Sequence, residues 1–296
     1  MNPKVEESRI RFALSSCERR GLKVYDAFEL VEEASKEFGD SLAVGWSAGK
    51  CSTAVLRMAL KFNPNVKVIF CDTTVLHPED YEFKERLKRE WRLNLIETKP
   101  VKPFWQVWKE YGPPTVRRQR YQSYVRLKGV SKGHTFQEKT GKPACCWFCK
   151  DKPFLLAAKK YGVKAVLTGL RCAESRARMY FAADYGQKHF AKRYKMWRLN
   201  PILFWTSRQL DDFIVEKGIP VSELYAKLAH FAKGEIRNGC LPCTGHLEWQ
   251  KQLSKLNPKL YKFVQRLRGV TLLDDYITLE NKAADACMPA SFEEWF

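Results

Sequence analysis

The 296-residue sequence predicts an α/β fold: a Rossmann-like parallel sheet with helices on both faces, plus a C-terminal helical extension. Three observations carry that prediction. Short apolar runs alternate with segments of helical spacing. The first run opens through a Ser/Gly turn straight into a helix. Beyond residue 205 the strand-like runs stop and helical spacing continues alone.

Taken in order, VYDAFELVEEASKEFG (24–39) places Val24, Phe28, Val31 and Phe38 at helical spacing and stops at Gly39. SLAVGW (41–46) reads as a short buried strand, and STAVLRMALKF (52–62) as the helix after its turn. VKVIFCD (66–72) is the second strand, PEDYEFKERLKREW (78–91) an amphipathic helix, and LNLIETKP (93–100) the third strand. The rhythm returns with helix PFLLAAKKYG (153–162) and strand VKAVLTGL (163–170). Between them, 103–144 carries Pro113-Pro114, Gly129, Gly133, Gly141 and the run Arg117-Arg118-Gln119-Arg120, and reads as an inserted loop region. After NPILFW (200–205), TSRQLDDFIVEKG (206–218) and HLEWQKQLSKLNPKLYKFVQRLRG (246–269) read as helices. The expected organisation is an N-terminal helical segment (1–40), an α/β domain (41–205) and a helical C-terminal part (206–296) that carries the second cysteine pair.

Apolar residues make up 45% of the chain, ample for a large core. No 18-residue apolar run exists, so no membrane span is expected. The opening MNPKVEESRIRF lacks the apolar core of a signal peptide, and a cytoplasmic location is expected. Thiols there stay reduced and serve metals or chemistry. The net charge is +19, from 52 Lys+Arg against 33 Asp+Glu. Such an excess suits a polyanionic partner, nucleic acid or phosphate-rich nucleotide, or else a lysine-rich solvated surface.

Five of the ten cysteines fall in two tight groups, Cys145-Cys146-Trp147-Phe148-Cys149 and Cys240-Leu241-Pro242-Cys243. Thiolates two residues apart can turn onto one metal centre, and two such groups clamp a zinc ion or an iron–sulfur cluster. A second constellation follows the first strand. In Gly45-Trp46-Ser47-Ala48-Gly49-Lys50-Cys51-Ser52, small residues let backbone N–H groups approach an anion at a helix N-terminus. The spacing of a nucleoside-triphosphatase P-loop is absent. Arg171, Arg176 and Arg178 follow the turn Thr168-Gly169 at a strand end, where open parallel sheets bind ligands. Asp72 at its strand end suits a ribose, a metal such as magnesium, or a helix-capping role.

The Ser47–Ser52 turn resembles the Ser-Gly-Gly-x-Asp-Ser pyrophosphate loop (PP-loop) of adenine-nucleotide α-hydrolase-like enzymes, with Ala48 for a glycine and Cys51 for the aspartate. Further segments, in order, resemble the phosphoadenosine phosphosulfate reductase family. They are Cys71-Asp72-Thr73-Thr74…His77-Pro78-Glu79-Asp80-Tyr81, Cys145-Cys146…Cys149-Lys150…Pro153, and Thr168-Gly169-Leu170-Arg171…Glu174-Ser175-Arg176. The series ends with Asn200-Pro201-Ile202…Trp205-Thr206 and Gly239-Cys240…Cys243-Thr244. The resemblance spans roughly residues 40–265. It implies an adenine nucleotide, ATP or a sulfonucleotide (APS or PAPS), at Ser47, Ala48, Gly49, Lys50, Ser52, Asp72, Gly169, Arg171 and Arg176. It implies a four-iron four-sulfur cluster on Cys145, Cys146, Cys240 and Cys243. The extra Cys149 also permits a zinc set of Cys146, Cys149, Cys240 and Cys243. Cys287, near the chain end, and Cys149 are the candidate catalytic thiols, although the reductase tail pattern Glu-Cys-Gly-Leu/Ile-His is missing around Cys287.

Two activities follow. The sequence reading favours an ATP-dependent sulfurtransferase that thiolates tRNA or DNA and takes sulfur from a donor protein. For this it leans on the charge, on Arg117–Arg120 with Tyr121 and Tyr124, and on the basic and aromatic stretch Lys188–Arg198. That stretch could equally be a solvated helix face. The rival is a sulfonucleotide reductase that makes sulfite with a thiol reductant. A nucleotide-binding protein without catalysis is a third reading.

Overall fold

In a computed structural model of the chain, the described residues are 2–114, 136, 141–229, 238–245 and 249–268. The elements run α1 (Pro3–Arg19), α2 (Ala27–Phe38), β1 (Leu42–Trp46), α3 (Lys50–Phe62), β2 (Lys67–Cys71), α4 (Pro78–Glu90) and β3 (Asn94–Thr98). Next come α5 (Phe104–Tyr111), α6 (Lys152–Lys160), β4 (Ala165–Leu167), α7 (Arg176–Tyr185), β5 (Lys188–Ala191) and β6 (Met196–Leu199). The last are α8 (Ser207–Glu216), α9 (Leu224–Ala229), α10 (Trp249–Leu256) and α11 (Pro258–Arg268). The chain divides into two compact units. One is Met1–Asp72, Leu76–Lys99 and Lys152–Gly239; the other is Thr73–Val75, Pro100–Asp151 and Cys240–Phe296. The inserted stretch 103–144 and the last helices thus share one unit, while 206–239 stays with the sheet.

The first unit is a Rossmann-like α/β fold. Its six strands stand in the order β3-β2-β1-β4-β6-β5. All neighbouring pairs are parallel except β5 with β6. Side chains alternate between the sheet's faces. Leu42, Val44, Trp46, Val68 and Phe70 join one core with α2, α3 and α8. Ala43, Ile69, Ile96 and Val166 join another with Ala157 and Ala158 of α6. Each fully buried aliphatic or aromatic side chain contributes about 1.5–3 kcal/mol. The chain moves outward from β1 through β2 to β3, then crosses back to place β4 on the other side of β1. The loop after β1 therefore lies at a topological switch point, where such sheets bind ligands.

Helix ends follow the caps in the sequence. Asp26 accepts from Phe28 N at 2.8 Å and Glu29 N at 3.2 Å, and starts α2. Thr206 and Gln209 form a reciprocal capping box on α8. The expected helix 246–269 is two helices. Asn257 accepts from Leu260 N at 3.0 Å, and Pro258 opens α11, so α10 stops. Strand 163–170 contracts to Ala165–Leu167.

In the second unit, Phe104, Val107 and Trp108 of α5 pack with Ala144, Cys145, Cys149, Leu253 and Val264. Val101 N donates to Phe148 O at 3.0 Å, and Leu241 N to Val75 O at 2.7 Å. The first bond closes the stretch Pro100–Asp151 on itself, and the second ties Thr73–Val75 to the stretch that begins at Cys240.

Candidate functional site

The first unit carries the phosphate-loop geometry. After β1 the chain turns through Ser47, Ala48 and Gly49 into α3. Ala48 has φ 58°, in the left-handed region. An alanine there bears about 1–2 kcal/mol of steric cost, which accounts for the glycine in the resembled motif. Ser52 Oγ donates to Gly49 O at 3.0 Å and so accepts from Ser47 N at 3.2 Å and Ser47 Oγ at 3.1 Å. The N–H groups of Ala48, Gly49 and Ser52 have no acceptor among the described residues. With the partial positive charge of the α3 N-terminus, they form a cradle for an anion. Lys50 Nζ pairs with Asp211 Oδ1 at 3.0 Å. The loop is held from outside as well: Asn238 Nδ2 donates to Ala48 O at 3.2 Å and to the fully buried Asp80 Oδ1 at 2.8 Å.

Gly169 meets this loop directly. A Cβ there would stand 2.5 Å from Cys51 C and 2.6 Å from Ser52 N, so only glycine fits. Arg171, two residues on, is 3% exposed. Its guanidinium lies 3.9 Å from Glu6 Oε1 and 3.7 Å from Glu174 Oε1, and donates to Ser207 Oγ at 3.3 Å. The fork expected to reach phosphate is thus set between two carboxylates. Glu174 also pairs with Arg178 and faces the loop thiol Cys51 at 3.8 Å. Arg176 is half-buried at the start of α7. Asp72 is buried and accepts from Tyr81 Oη at 2.7 Å and Lys99 Nζ at 2.5 Å, which ties the end of β2 to α4. Buried His77 has its pKa lowered to about 4, because burial disfavours the charged ring.

The cysteine groups belong wholly to the second unit. Ala144–Cys146 makes one α-turn and Trp147–Asp151 a π-helical turn. Such widened turns recur at functional sites. Cys145 and Cys149 are buried in an apolar cluster against which Cys146 and Cys240 also pack. Cys243 N donates to Cys240 O at 2.9 Å, and Gly245 N to Cys243 Sγ at 3.4 Å. Cys240 Sγ lies 3.4 Å from Thr73 Oγ1. The Cys146 thiol falls to about 7, through its hydrogen bond with Cys145 and nearby Lys150 and Lys142, while Cys145 is pushed up. Burial and neighbouring thiols push Cys149 and Cys243 up to about 12. Cys149 donates to Lys102 O at 3.9 Å, and a thiol that keeps its proton is a poor nucleophile.

All five thiols lie within electrostatic reach of one another's group. Yet no three His, Cys, Asp or Glu side chains among the described residues are drawn tightly enough to hold a single metal ion. Zn–S bonds of about 2.3 Å would bring zinc's four sulfurs to about 3.8 Å from one another. A four-iron cluster binds each thiolate at a separate iron and holds them further apart. The thiols of both cysteine groups, with a backbone N–H on Cys243 Sγ and with Lys142 and Lys150 near Cys146, suit a metal–thiolate centre by their chemistry.

Residues 41–246 match the phosphoadenosine phosphosulfate reductase domain. The chain belongs to the phosphoadenosine phosphosulfate reductase family. Family membership makes it an enzyme of adenine-nucleotide-dependent sulfur chemistry. It is 24% identical over 219 residues to adenosine 5'-phosphosulfate reductase of Staphylococcus haemolyticus, covering 74% of this chain and 76% of that one. It is 27% identical over 218 residues to the Pseudomonas aeruginosa enzyme of the same name, covering 73% and 71%. The crystal structure of phosphoadenylyl-sulfate reductase from Candida auris, a phosphate complex, superposes with a TM-score of 0.50. At 21% identity, it covers 73% of this chain and 90% of that one, and shows a shared fold.

The family match and these relatives favour sulfonucleotide reduction over the nucleic-acid sulfurtransferase. Of the segments expected to hold nucleic acid, Arg117–Arg120, Tyr121 and Tyr124 lie outside the described residues, as does Cys287. The stretch 188–198 is a β-hairpin, not a helix face. Lys188 pairs with Glu37 at 2.6 Å, and Phe190 packs edge-on against Trp197. Lys192, Arg193 and Lys195 remain exposed at its turn. No helix among the described residues is long and apolar enough to cross a membrane. The sequence reading missed Glu6, Tyr225 and Asn238, whose partners lie far along the chain.

Proposed function

We propose that this chain is a sulfonucleotide reductase, acting on adenosine 5'-phosphosulfate or its 3'-phosphorylated form and releasing sulfite. The observation that carries this choice over ATP chemistry is Cys51. Magnesium on a triphosphate is held through carboxylates, and Cys51 occupies the place of the PP-loop aspartate. The nearby carboxylate, Glu174, is engaged by Arg171 and Arg178. A phosphosulfate needs no metal, and free amides on a helix N-terminus match its charge. The relatives named above support the same reading.

A cysteine thiolate attacks the sulfate sulfur. The bond from sulfur to the phosphate oxygen breaks, its electron pair stays on that oxygen, and the adenine nucleotide leaves. The enzyme then carries a cysteine S-sulfonate. A thiol reductant attacks the cysteine sulfur, a disulfide forms and sulfite departs. Two thiols are oxidised as sulfur gains two electrons. Cys287 is the proposed nucleophile because the family resemblance sets a cysteine near the chain end against the sulfonucleotide. Burial pushes up Cys17, Cys149, Cys172 and Cys243, and the hydrogen bond with Cys146 pushes up Cys145. Cys145, Cys146, Cys240 and Cys243 are the proposed ligands of a four-iron four-sulfur cluster, which when bound supplies a redox-active, polarising centre.

The test is turnover of both sulfonucleotides by anaerobically purified protein with dithiothreitol or thioredoxin. Sulfite and nucleotide should appear in equal amounts, and Cys287→Ser should abolish both. No sulfite from either substrate, with ATP-dependent incorporation of sulfur into tRNA or DNA instead, would overturn the reading.

A further inference from the structure

Tyr225 stands on α9 beside the phosphate loop, within the same unit. Its hydroxyl oxygen accepts the Lys50 backbone N–H at 3.1 Å, in the first turn of α3. A Cβ on Gly49 would lie 3.4 Å from this oxygen, so the phenol closes on the loop itself. The ring is placed from several sides. Lys50 Nζ lies 5.2 Å from its centroid while held by Asp211. Ser222, three residues earlier, donates to buried Asp80 Oδ1 at 2.8 Å, and Asn238 binds that same oxygen and the loop carbonyl of Ala48. A tyrosine hydroxyl has one proton to give as well as lone pairs to accept with. The Lys50 amide uses a lone pair. The proton has no acceptor among the described residues. Burial pushes the phenol above its usual range, so the proton stays on. The residue thus holds a spare donor beside three backbone N–H groups that also await an acceptor.

We propose that the Tyr225 hydroxyl donates directly to a phosphate oxygen of the bound nucleotide, as a fourth donor of the loop. This rests on the sulfonucleotide reading above. Through its hydroxyl the Lys50 amide acts on the anion at one remove, so the side chain extends the reach of the helix N-terminus.

The probe is AMP, titrated calorimetrically into the full chain, wild type and Tyr225→Phe. Phenylalanine keeps the ring and removes only the hydroxyl. The dissociation constant for AMP should rise about tenfold or more, as for loss of a hydrogen bond to a charged group. The melting temperature should fall by no more than about 2–4 °C, the effect of the Lys50 amide losing its acceptor. Unchanged or tighter binding in the variant overturns the proposal, and tighter binding would mean that the hydroxyl occupies the anion's place. Should the variant fail to fold, ribose 5-phosphate, which does not absorb near tyrosine, is added to wild-type protein. A saturable red shift of the tyrosine band is expected, and its absence overturns the proposal. Failure of wild-type protein to bind AMP and adenosine 5'-phosphosulfate at all would instead refute the underlying nucleotide reading.

Discussion

Replacing Gly169 with alanine tests whether the strand end and the phosphate loop act as one device. The added methyl would stand 2.5 Å from Cys51 C, 2.6 Å from Ser52 N and 2.7 Å from Cys51 O. All three are backbone atoms and cannot rotate away. Ordinary contact begins near 3.4 Å, so the loop must retreat by about 0.9 Å. Overpacking of this kind costs about 1–3 kcal/mol of stability. The displaced atoms include the Ser52 N–H, one of the three free donors. Losing a hydrogen bond to a charged partner costs about 1.5–3 kcal/mol, or about ten- to a hundredfold in Kd. Gly169→Ala should therefore weaken AMP binding by that factor in calorimetric titration and lower the urea midpoint. Gly45→Ala is the control, because its nearest neighbour would be an ordinary 3.6 Å away. Equal AMP affinity and equal midpoints for Gly169→Ala and wild type would refute the argument that this glycine seats the loop.

Two further outcomes are expected. Protein purified without oxygen should be brown, and Cys240→Ser/Cys243→Ser should lose both the broad absorption band and the bound iron; iron retained in that variant would exclude the second cysteine group as ligands. The folded-state pKa of His77, about 4, lies below the ordinary 6.5, so between these values the unfolded chain binds more protons and stability falls on acidification. The full difference is about 3 kcal/mol. His77→Gln should shrink the loss of urea stability between pH 7 and pH 4 by about that much, and an unchanged loss would show that His77 is not the titrating group.

The strand–turn–helix at 42–62 was legible because its signals are local: a continuous apolar run, small turn residues and a helical repeat within twenty residues. The parallel sheet followed from repetition of that unit. The hairpin 188–199 was hidden because its basic residues resemble a binding surface. Charge is also what an edge strand carries, and β5 is the edge of this sheet. The stop between α10 and α11 was written in Asn257-Pro258 and passed over in favour of the longer periodicity. The cysteine groups were legible by spacing, whereas their common apolar pocket needed Leu253 and Val264 from the other end of the unit. Arg171 shows a further boundary. Its position after a strand marks it for phosphate, but Glu6, the carboxylate that faces it, comes from a helix 165 residues earlier in the sequence. No local pattern announces such a partner.

The cysteine-bearing unit is discontinuous in sequence, which has a consequence for its synthesis. Cys149 leaves the ribosome 91 residues before Cys240. At about 5–20 residues per second, the first three thiols wait roughly 5–18 seconds before the second pair exists. During that interval they share a short segment without the helices α10 and α11 that later complete their apolar cover. Any metal centre on the complete set must be loaded after translation has passed Cys243. Expression in air exposes the first group to oxidation before its partners arrive, so cells grown with little oxygen and supplied with iron should yield more loaded protein than reconstitution of an aerobically made chain.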